Sequence, residues 1–436
     1  MTRPAIADPS PWDFPLPTSS RLGNGLTLTL FDLPGQHLAA VELVLPTPVA
    51  AEPRDREGVA TVALLSSDEA TSSRPDVVEL LELEGAAVGG TTFWNHSRLG
   101  LSAPVSRLRQ AMPLFASITQ EPSFEPADVA HHVEAQVAAF ETRLASPTAV
   151  TQQAMQAALY GVQQREGRPL AGIPDTLRAI DRQAVQAWHA QTWRPEGAEL
   201  IVAGDLAGEP AELVESFAAW QGTVPAAPVE ASPQPPRFLL VDQPHAAQTI
   251  IQVSAPTPGR RDPRWAALKL GGHVMCGAFA SRLNLELRER LGYTYGVSGG
   301  VSARQAGGVF RAGMAVENAA APDAVARTLA ALALPQPFTQ DEVADAARYL
   351  VRVAPLSYET AADIARQAAV LAVAGLHPQF VNQHRAALAT TDAEQVNAAW
   401  AEVISPEKVT VVVGGPAAQL QPALEPLGFG LFQLPW

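Results

Sequence analysis

The sequence of 436 residues predicts an α+β protein. We expect two homologous α/β sandwich halves, each with an antiparallel-rich sheet and helices, in a clam-like arrangement. Strands and helices occur in mixed order, hairpins are predicted in both halves, and two landmarks recur at one fixed separation. Asp32 and Asp242 each end a short strand, Gly204 and Gly414 each close an apolar strand, and both pairs are 210 positions apart. A shared separation indicates an internal duplication.

In the first half, apolar strands are predicted at 26–31 and 39–45, before a helix at 58–65 and a second helix at 75–84. The following stretch predicts a hairpin at 85–105, with its turn near Asn95 and His96. The remainder of this half contains four helical patterns and a closing strand, at 105–119, 126–145, 149–160, 181–192 and 199–203.

Proline marks the predicted boundary between the halves. The stretch 221–237 contains five prolines and little apolar periodicity, which is typical of a semi-rigid linker. We therefore predict an N-terminal domain at 1–220, this linker, and a C-terminal domain at 238–436. The pattern of the first half then restarts with predicted strands at 238–241 and 249–253.

Composition and charge exclude several classes of protein. The net charge of −14 and the lack of a basic cluster argue against a nucleic-acid partner. The single cysteine, Cys276, excludes an intrachain disulfide and a multi-cysteine zinc site. The first 17 residues contain proline and acid but no continuous apolar core, so neither a signal peptide nor a membrane segment is predicted. We expect a cytoplasmic protein without a membrane partner.

A predicted helix, glycine stop and strand form the most distinctive element of the second half. Leu283 and Leu287 recur at helical spacing, Gly292 supplies the stop, and Tyr295 belongs to the strand that follows. A tight turn would bring Arg288, at the helix end, close to Tyr295. A guanidinium and a phenol can together bind a peptide carbonyl or carboxylate. The alternative interpretation is a surface arginine and a packed tyrosine.

This element resembles the arginine–tyrosine element in the C-terminal half of the pitrilysin, insulinase and mitochondrial processing peptidase family. Catalytic members of that family have a His-x-x-Glu-His helix in the N-terminal half, and the stretch 58–71 aligns with theirs without a gap. Thr61 and Leu65 stand where the two zinc-binding histidines are expected, and Leu64 replaces the glutamate that activates water. Threonine and leucine can neither replace histidine as a zinc ligand nor activate water. The resemblance covers essentially the whole chain.

One residual cluster of possible ligands remains, at His131, His132 and Glu134. By the resemblance, it lies near the helix that supplies the third, glutamate ligand in catalytic relatives. Adjacent helical residues point about 100° apart, so neighbouring histidines rarely share a metal. We interpret these residues as solvated. No two of the nine histidines are four positions apart, so the zinc helix has not moved elsewhere.

The resemblance implies a non-catalytic, substrate-binding subunit of a heterodimeric zinc peptidase that acts on unfolded peptides. Arg288 and Tyr295 are then the substrate-binding residues, and the chain alone is expected to be inactive. The expected partner is a homologous zinc-bearing peptidase subunit, with no cofactor in this chain and a possible homodimer when it is isolated. The alternative is a structural or assembly protein that keeps the fold without peptidase function. A third reading, an independent hydrolase, lacks a visible catalytic set.

Overall fold

The structure, a computed structural model, describes residues 11–206, 214–224, 231–305 and 307–436. In these ranges the strands of the first half are β1 (Thr18–Arg21), β2 (Thr27–Asp32), β3 (Leu38–Leu45), β4 (Ala87–Thr92), β5 (Ser97–Pro104) and β6 (Glu199–Gly204). Its helices are α1 (Val59–Leu65), α2 (Val77–Leu83), α3 (Leu108–Gln120), α4 (Pro126–Leu144), α5 (Pro147–Tyr160), α6 (Pro174–Leu177), α7 (Arg182–Thr192) and α8 (Glu215–Ala218).

The strands of the second half are β7 (Phe238–Asp242), β8 (Thr249–Thr257), β9 (Thr294–Arg304), β10 (Gly307–Val316), β11 (Thr410–Gly415) and β12 (Gly430–Leu431). Its helices are α9 (Trp265–Gly272), α10 (Ala321–Leu332), α11 (Gln340–Val353), α12 (Ala361–Val373), α13 (Phe380–Thr390), α14 (Ala393–Val403) and α15 (Ala417–Leu424). Two π-helical segments, His273–Gly277 and Asn284–Arg290, lie between α9 and β9.

The two six-stranded sheets share the topology of five strands and differ in the sixth, because β1 pairs antiparallel with β2 whereas β12, the last strand, pairs parallel with β7. Their orders are β1-β2-β6-β3-β5-β4 and β12-β7-β11-β8-β10-β9. In each sheet one internal parallel pair, β2 with β6 or β7 with β11, adjoins a run of antiparallel pairs. The separation of 210 residues also joins Ser97 at the start of β5 to Gly307 at the start of β10. The predicted α+β class and duplicated halves are therefore confirmed.

Both sheets are covered on both faces. Along β6, Leu200 and Val202 belong to one buried cluster, while Ile201 belongs to another. Along β11, Val411 lies in the main core of the second half and Val412 in a separate cluster. Successive strand residues point to opposite faces, so these central strands must be apolar at every position rather than at alternate ones.

Each sheet is covered on one face by a helix from the other half. Helix α12 packs on β3 and β6 of the first sheet, and α5 packs on β8 and β11 of the second. Alanines line both contacts, at Ala365 and Ala369 in α12 and at Ala154 and Ala158 in α5. These small residues allow close packing of helix on sheet. The hydrophobic pattern of the sequence does not predict this exchange of helices.

Local structure follows the predictions closely, with small shifts of boundary. The hairpin is formed by β4 and β5, and the Phe93 N–H donates to the His96 carbonyl in its turn. Helix α2 begins at Val77 rather than Pro75, and α3 follows a 3₁₀ turn instead of starting at Val105. Part of the predicted linker, 225–230, lies outside the described residues. None of the described helices is both long and apolar enough to span a membrane.

Candidate functional site

Helix α1, which has the place of a zinc helix, is anchored at its N-terminus by a buried carboxylate. Glu52 Oε1 accepts hydrogen bonds from the N–H groups of Gly58 and Ala60, at 3.1 and 3.0 Å. Glu52 Oε2 accepts two more from the Arg165 guanidinium, at 2.9 and 2.7 Å. Both side chains are almost completely buried. The helix is therefore held rigidly although its expected metal ligands are replaced.

The three positions that the family resemblance aligns with the zinc ligands and the water-activating glutamate have residues that do not fit a metal. Leu64 is 3% exposed and packs against Gly90 of β4. A Cβ built at Gly90 would lie 2.8 Å from the Leu64 side chain, which shows how tight the contact is. Thr61 and Leu65 lie on a less buried side of the helix. No imidazole or carboxylate is supplied at any of the three positions, so we derive no metal chemistry here.

The two adjacent histidines are engaged in other contacts. His132 Nε2 lies 2.9 Å from Glu69 Oε1, a residue just after α1, and the His131 ring lies edge-on to the His132 ring. Within the described part of the chain, no three His, Cys, Asp or Glu side chains are grouped so as to hold a metal ion. The contact of His132 with Glu69 joins α4 to the end of the α1 region.

The predicted arginine–tyrosine element is formed by the second π-helical segment, a left-handed glycine and β9. Gly292 has a φ of 67°, which a glycine adopts without strain. Leu283 and Leu287 are fully buried, so the segment is fixed to the core of the second half. Asn284 fastens it to β9, because its amide accepts from the Val297 N–H at 2.8 Å and donates to the Val297 carbonyl at 2.9 Å.

The two tyrosines of this element have opposite environments. The Tyr293 hydroxyl donates a 2.9 Å hydrogen bond to Asp323 Oδ2, which raises the pKa of the phenol. Tyr295, two residues further on, is 94% exposed. In the described ranges its hydroxyl has no hydrogen-bond partner. Tyr293 thus ties the strand to α10, while Tyr295 is free to meet another molecule.

Arg288 is held over an aromatic ring that no spacing in the sequence indicates. Its guanidinium carbon lies 3.9 Å from the centre of the exposed Phe279 ring, in a cation–π contact. The guanidinium also lies 3.4 Å from the Glu289 carboxylate, and the side chain is 27% exposed. Arg288 and Tyr295 belong to one rigid element, although among the described contacts no hydrogen bond or ring contact joins them.

Comparison with known proteins connects this fold to a peptidase family. The family model described as "Peptidase M16 inactive domain" matches residues 179–350. An uncharacterised zinc protease of Mycobacterium tuberculosis is 27% identical over 307 residues, covering 68% of this chain and 69% of the relative. One from Mycobacterium leprae is 26% identical over 245 residues, covering 54% of each chain.

Solved structures give the same result for the fold. A peptidase M16 inactive domain from Pseudomonas fluorescens superposes with a TM-score of 0.84 at 22% identity, covering 92% of this chain and 98% of that one. A protease from Helicobacter pylori gives 0.83 at 15% identity, with 92% and 99% covered. A chain of Complex III2 from Candida albicans gives 0.78 at 12% identity, with 94% and 99% covered.

The duplicated fold and the matched segment are similar to those of peptidase M16 inactive domains. These similarities in sequence and fold support a pitrilysin-like protein related to the M16 peptidases.

Proposed function

We propose that this chain is the substrate-binding, non-catalytic subunit of a heterodimeric zinc peptidase that acts on unfolded peptides in the cytoplasm. The observation that carries the proposal is the exposure of Tyr295 at the start of β9, beside a half-buried Tyr293 whose hydroxyl is hydrogen-bonded to Asp323. A phenol that only packed the fold would be expected to resemble Tyr293.

The position of Tyr295 supports binding of an extended peptide. Strand β9 forms one edge of the second sheet, and β4 forms the corresponding edge of the first. An edge strand presents unpaired N–H and C=O groups, which an extended peptide can pair with as an additional strand. Tyr295 lies at the beginning of β9, next to such an edge. An unfolded peptide therefore fits this surface better than a folded domain does.

The chemistry of the two side chains suggests distinct roles. Negative charge develops on the carbonyl oxygen during peptide hydrolysis, and a phenol aimed at that oxygen helps most in the transition state. We assign this role to Tyr295. Arg288 has a planar fork of donors and is suited to hold a peptide carbonyl or terminal carboxylate. A homologous partner with intact ligands would supply the zinc and the activated water, since Thr61, Leu64 and Leu65 do not fit them.

The assembly is tested by co-expressing the chain with a homologue that has the complete His-x-x-Glu-His motif. Size-exclusion chromatography should show a stable complex, and a peptide assay should show higher activity than the homologue has alone. The chain by itself should cleave no peptide.

Full activity of the homologue alone, without co-elution, would favour the alternative of a structural or assembly protein. The similarity of this fold to a chain of Complex III2 is the observation on that side.

A further inference from the structure

A cavity of about 310 Å³ lies between the two halves and is rich in arginine. It is lined by the turn between β4 and β5, the end of β9, the segment after β8, and α12. Four guanidinium groups border it, from Arg98, Arg260, Arg304 and Arg366, and the lining contains no carboxylate. Such a concentration of positive charge is unexpected in a chain with a net charge of −14.

Two of these guanidinium groups have N–H donors without a hydrogen-bond acceptor among the described residues. Arg98 Nε and Nη1 are buried without a hydrogen-bond partner, and the Arg98 guanidinium lies 4.7 Å from the Phe93 ring centre. Arg260 makes no hydrogen bond or ion pair with the described residues. Burial lowers the pKa of both side chains, because the charged form loses its hydration. Buried guanidinium donors without acceptors are unfavourable unless an anion joins them.

The other two arginines are only partly neutralised. Arg304 donates to the Tyr160 hydroxyl and lies over the Tyr160 ring, neither of which is an anion. Arg366 lies 3.3 Å from the Asp363 carboxylate in a largely exposed ion pair. One further carboxylate, Glu42, interacts electrostatically with both Arg98 and Arg366 but is outside the lining. The cavity therefore keeps an excess of positive charge.

The rest of the wall is apolar. Phe93 and Trp94 line it from the first half, and Val370 and Val373 of α12 line it from the second. The volume is at the lower end of the range of about 300–1,000 Å³ for ligand pockets, which suits a ligand of one amino-acid residue. An inorganic anion would satisfy the arginines but would leave these walls without a partner.

We propose that this cavity binds a carboxylate attached to an apolar or aromatic group, such as an apolar amino-acid residue with a free carboxyl end. Arg98 and Arg260 hold the carboxylate, because arginine forks match its geometry. Phe93, Trp94 and Val373 contact the apolar part. The ligand bridges the two halves. This inference is independent of the subunit role proposed above.

The probe is N-acetylphenylalanine, added to the full chain and followed by calorimetry. Its amide, N-acetylphenylalaninamide, has the same apolar group without the charge. We expect one molecule of the acid to bind per chain and the amide to bind at least tenfold more weakly. Equal binding of acid and amide, or no binding of the acid, would overturn the proposal. Inorganic phosphate that binds more tightly than the acid would also overturn it, because the apolar wall would then have no role.

Substitutions of the arginines that line the cavity test whether the ligand binds there. Arg260→Gln should weaken binding of the acid about tenfold, and Arg366→Gln should weaken it severalfold. The Arg366 side chain is largely exposed, so this second variant is expected to fold even if the first does not. The matched control is Arg348→Gln, which removes an exposed arginine paired with Asp345 on α11. Unchanged affinity in Arg366→Gln, or an equal loss in Arg348→Gln, would contradict the assignment.

Discussion

In both halves a helix packs closely against an edge strand through a glycine. In the first half the glycine is on the strand, and in the second half it is on the helix. In the first half the Leu64 side chain of α1 packs onto Gly90 of β4. In the second half Gly272 of α9 packs onto the backbone of β9, where a Cβ on it would lie 2.9 Å from the Val301 nitrogen. Close approach of helix and strand needs a residue without a side chain on one of them.

The side chains beside these two contacts also differ in exposure. Leu64, which the family resemblance aligns with the water-activating glutamate, has its side chain buried against β4. In the second half, the glycine of α9 makes the close contact, and β9 presents Tyr295 to the outside. The first half thus contributes rigid support, and the second contributes the surface for which we propose substrate binding.

The largest expected effect is a loss of folding stability when the ion pair that anchors α1 is broken. Arg165→Met leaves Glu52 buried without its guanidinium, and removal of one partner from a buried ion pair costs about 3–5 kcal/mol of stability. Urea unfolding followed by circular dichroism measures the loss. As a control, Arg348→Met removes an exposed pair with Asp345 and should change stability by less than about 1 kcal/mol. Equal effects of the two variants would show that α1 does not depend on the Glu52–Arg165 pair.

The second prediction concerns substitutions in the proposed substrate-binding surface. Loss of one preorganised oxyanion donor lowers turnover on the order of 100-fold, so Tyr295→Phe should reduce kcat of the assembled complex by that order. Arg288→Ala should chiefly raise KM. Steady-state kinetics with a peptide substrate separate the two.

The control for this pair is Tyr293→Phe, which loses the hydrogen bond to Asp323. It should lower the stability of the chain by about 1 kcal/mol and leave kcat unchanged. If Tyr295→Phe and Arg288→Ala leave the kinetics of a correctly assembled complex unchanged, both residues are ordinary surface residues.

A third prediction concerns acid stability. Burial lowers the pKa of His189 to about 4 from 6.5, and the ring donates to the Thr119 carbonyl at 2.8 Å. The unfolded chain binds a proton near pH 6.5 but the folded ring only near pH 4, so acidification through this window favours unfolding. His189 alone should lower stability by about 2 kcal/mol between pH 7 and pH 5.

Replacement His189→Gln should flatten the pH dependence by that amount, as measured by urea unfolding at both pH values. His96 and His384 have pKa values lowered to about 4 in the same way, so part of the slope should remain. An unchanged slope in the variant would mean that His189 is protonated as readily in the folded chain as in the unfolded one.

The fourth prediction sharpens the comparison of the two helix–strand contacts. Gly90→Ala overpacks the contact with Leu64 and should cost about 1–3 kcal/mol. Leu64→Ala in the same chain makes room for the new methyl group, so the double variant should lose about 1 kcal/mol less than the sum of the single variants. The control is Gly272→Ala, whose cost Leu64→Ala should not relieve. Additive effects at Leu64 and Gly90 would contradict the direct contact.

The last prediction is that the dialysed chain contains no stoichiometric metal. Elemental analysis of the dialysed chain should find no stoichiometric zinc, because Thr61 offers at most one weak oxygen ligand and Leu64 and Leu65 offer none. One tightly held zinc per chain, lost when His131 or His132 is changed, would contradict this and support the independent hydrolase.

Local features of the chain were predictable because short-range rules determine them. The apolar spacing of Leu283 and Leu287 and the stop at Gly292 give the observed helical segment, turn and strand. The repeated separation of 210 residues predicts the duplicated halves, and five strands of each sheet do follow one order. The roles of Arg288 and Tyr295 stay predictions, as do the domain limits at 1–220 and 238–436.

Contacts between distant segments were not predictable from periodicity. Phe14 lies in a stretch that has the composition of a loose terminus, yet it is buried against Phe31, and its N–H donates to Asn382 at 2.7 Å. The arginines around the cavity come from four separate segments, and no spacing along the chain relates them. The ring under Arg288, Phe279, is nine positions earlier in sequence and in a different local structure.

Because α5 and α12 each cover the sheet of the other half, we expect the two repeats to be inherited together. A recombination event that ends one repeat at the linker also removes the helix that covers a face of the other repeat's sheet. Ile201 and Ala203 in the first sheet, or Val412 in the second, would then face water. Each repeat therefore evolves under a constraint set by the other repeat. Substitutions in α12 must preserve its packing on a sheet that lies more than 150 positions earlier in the chain.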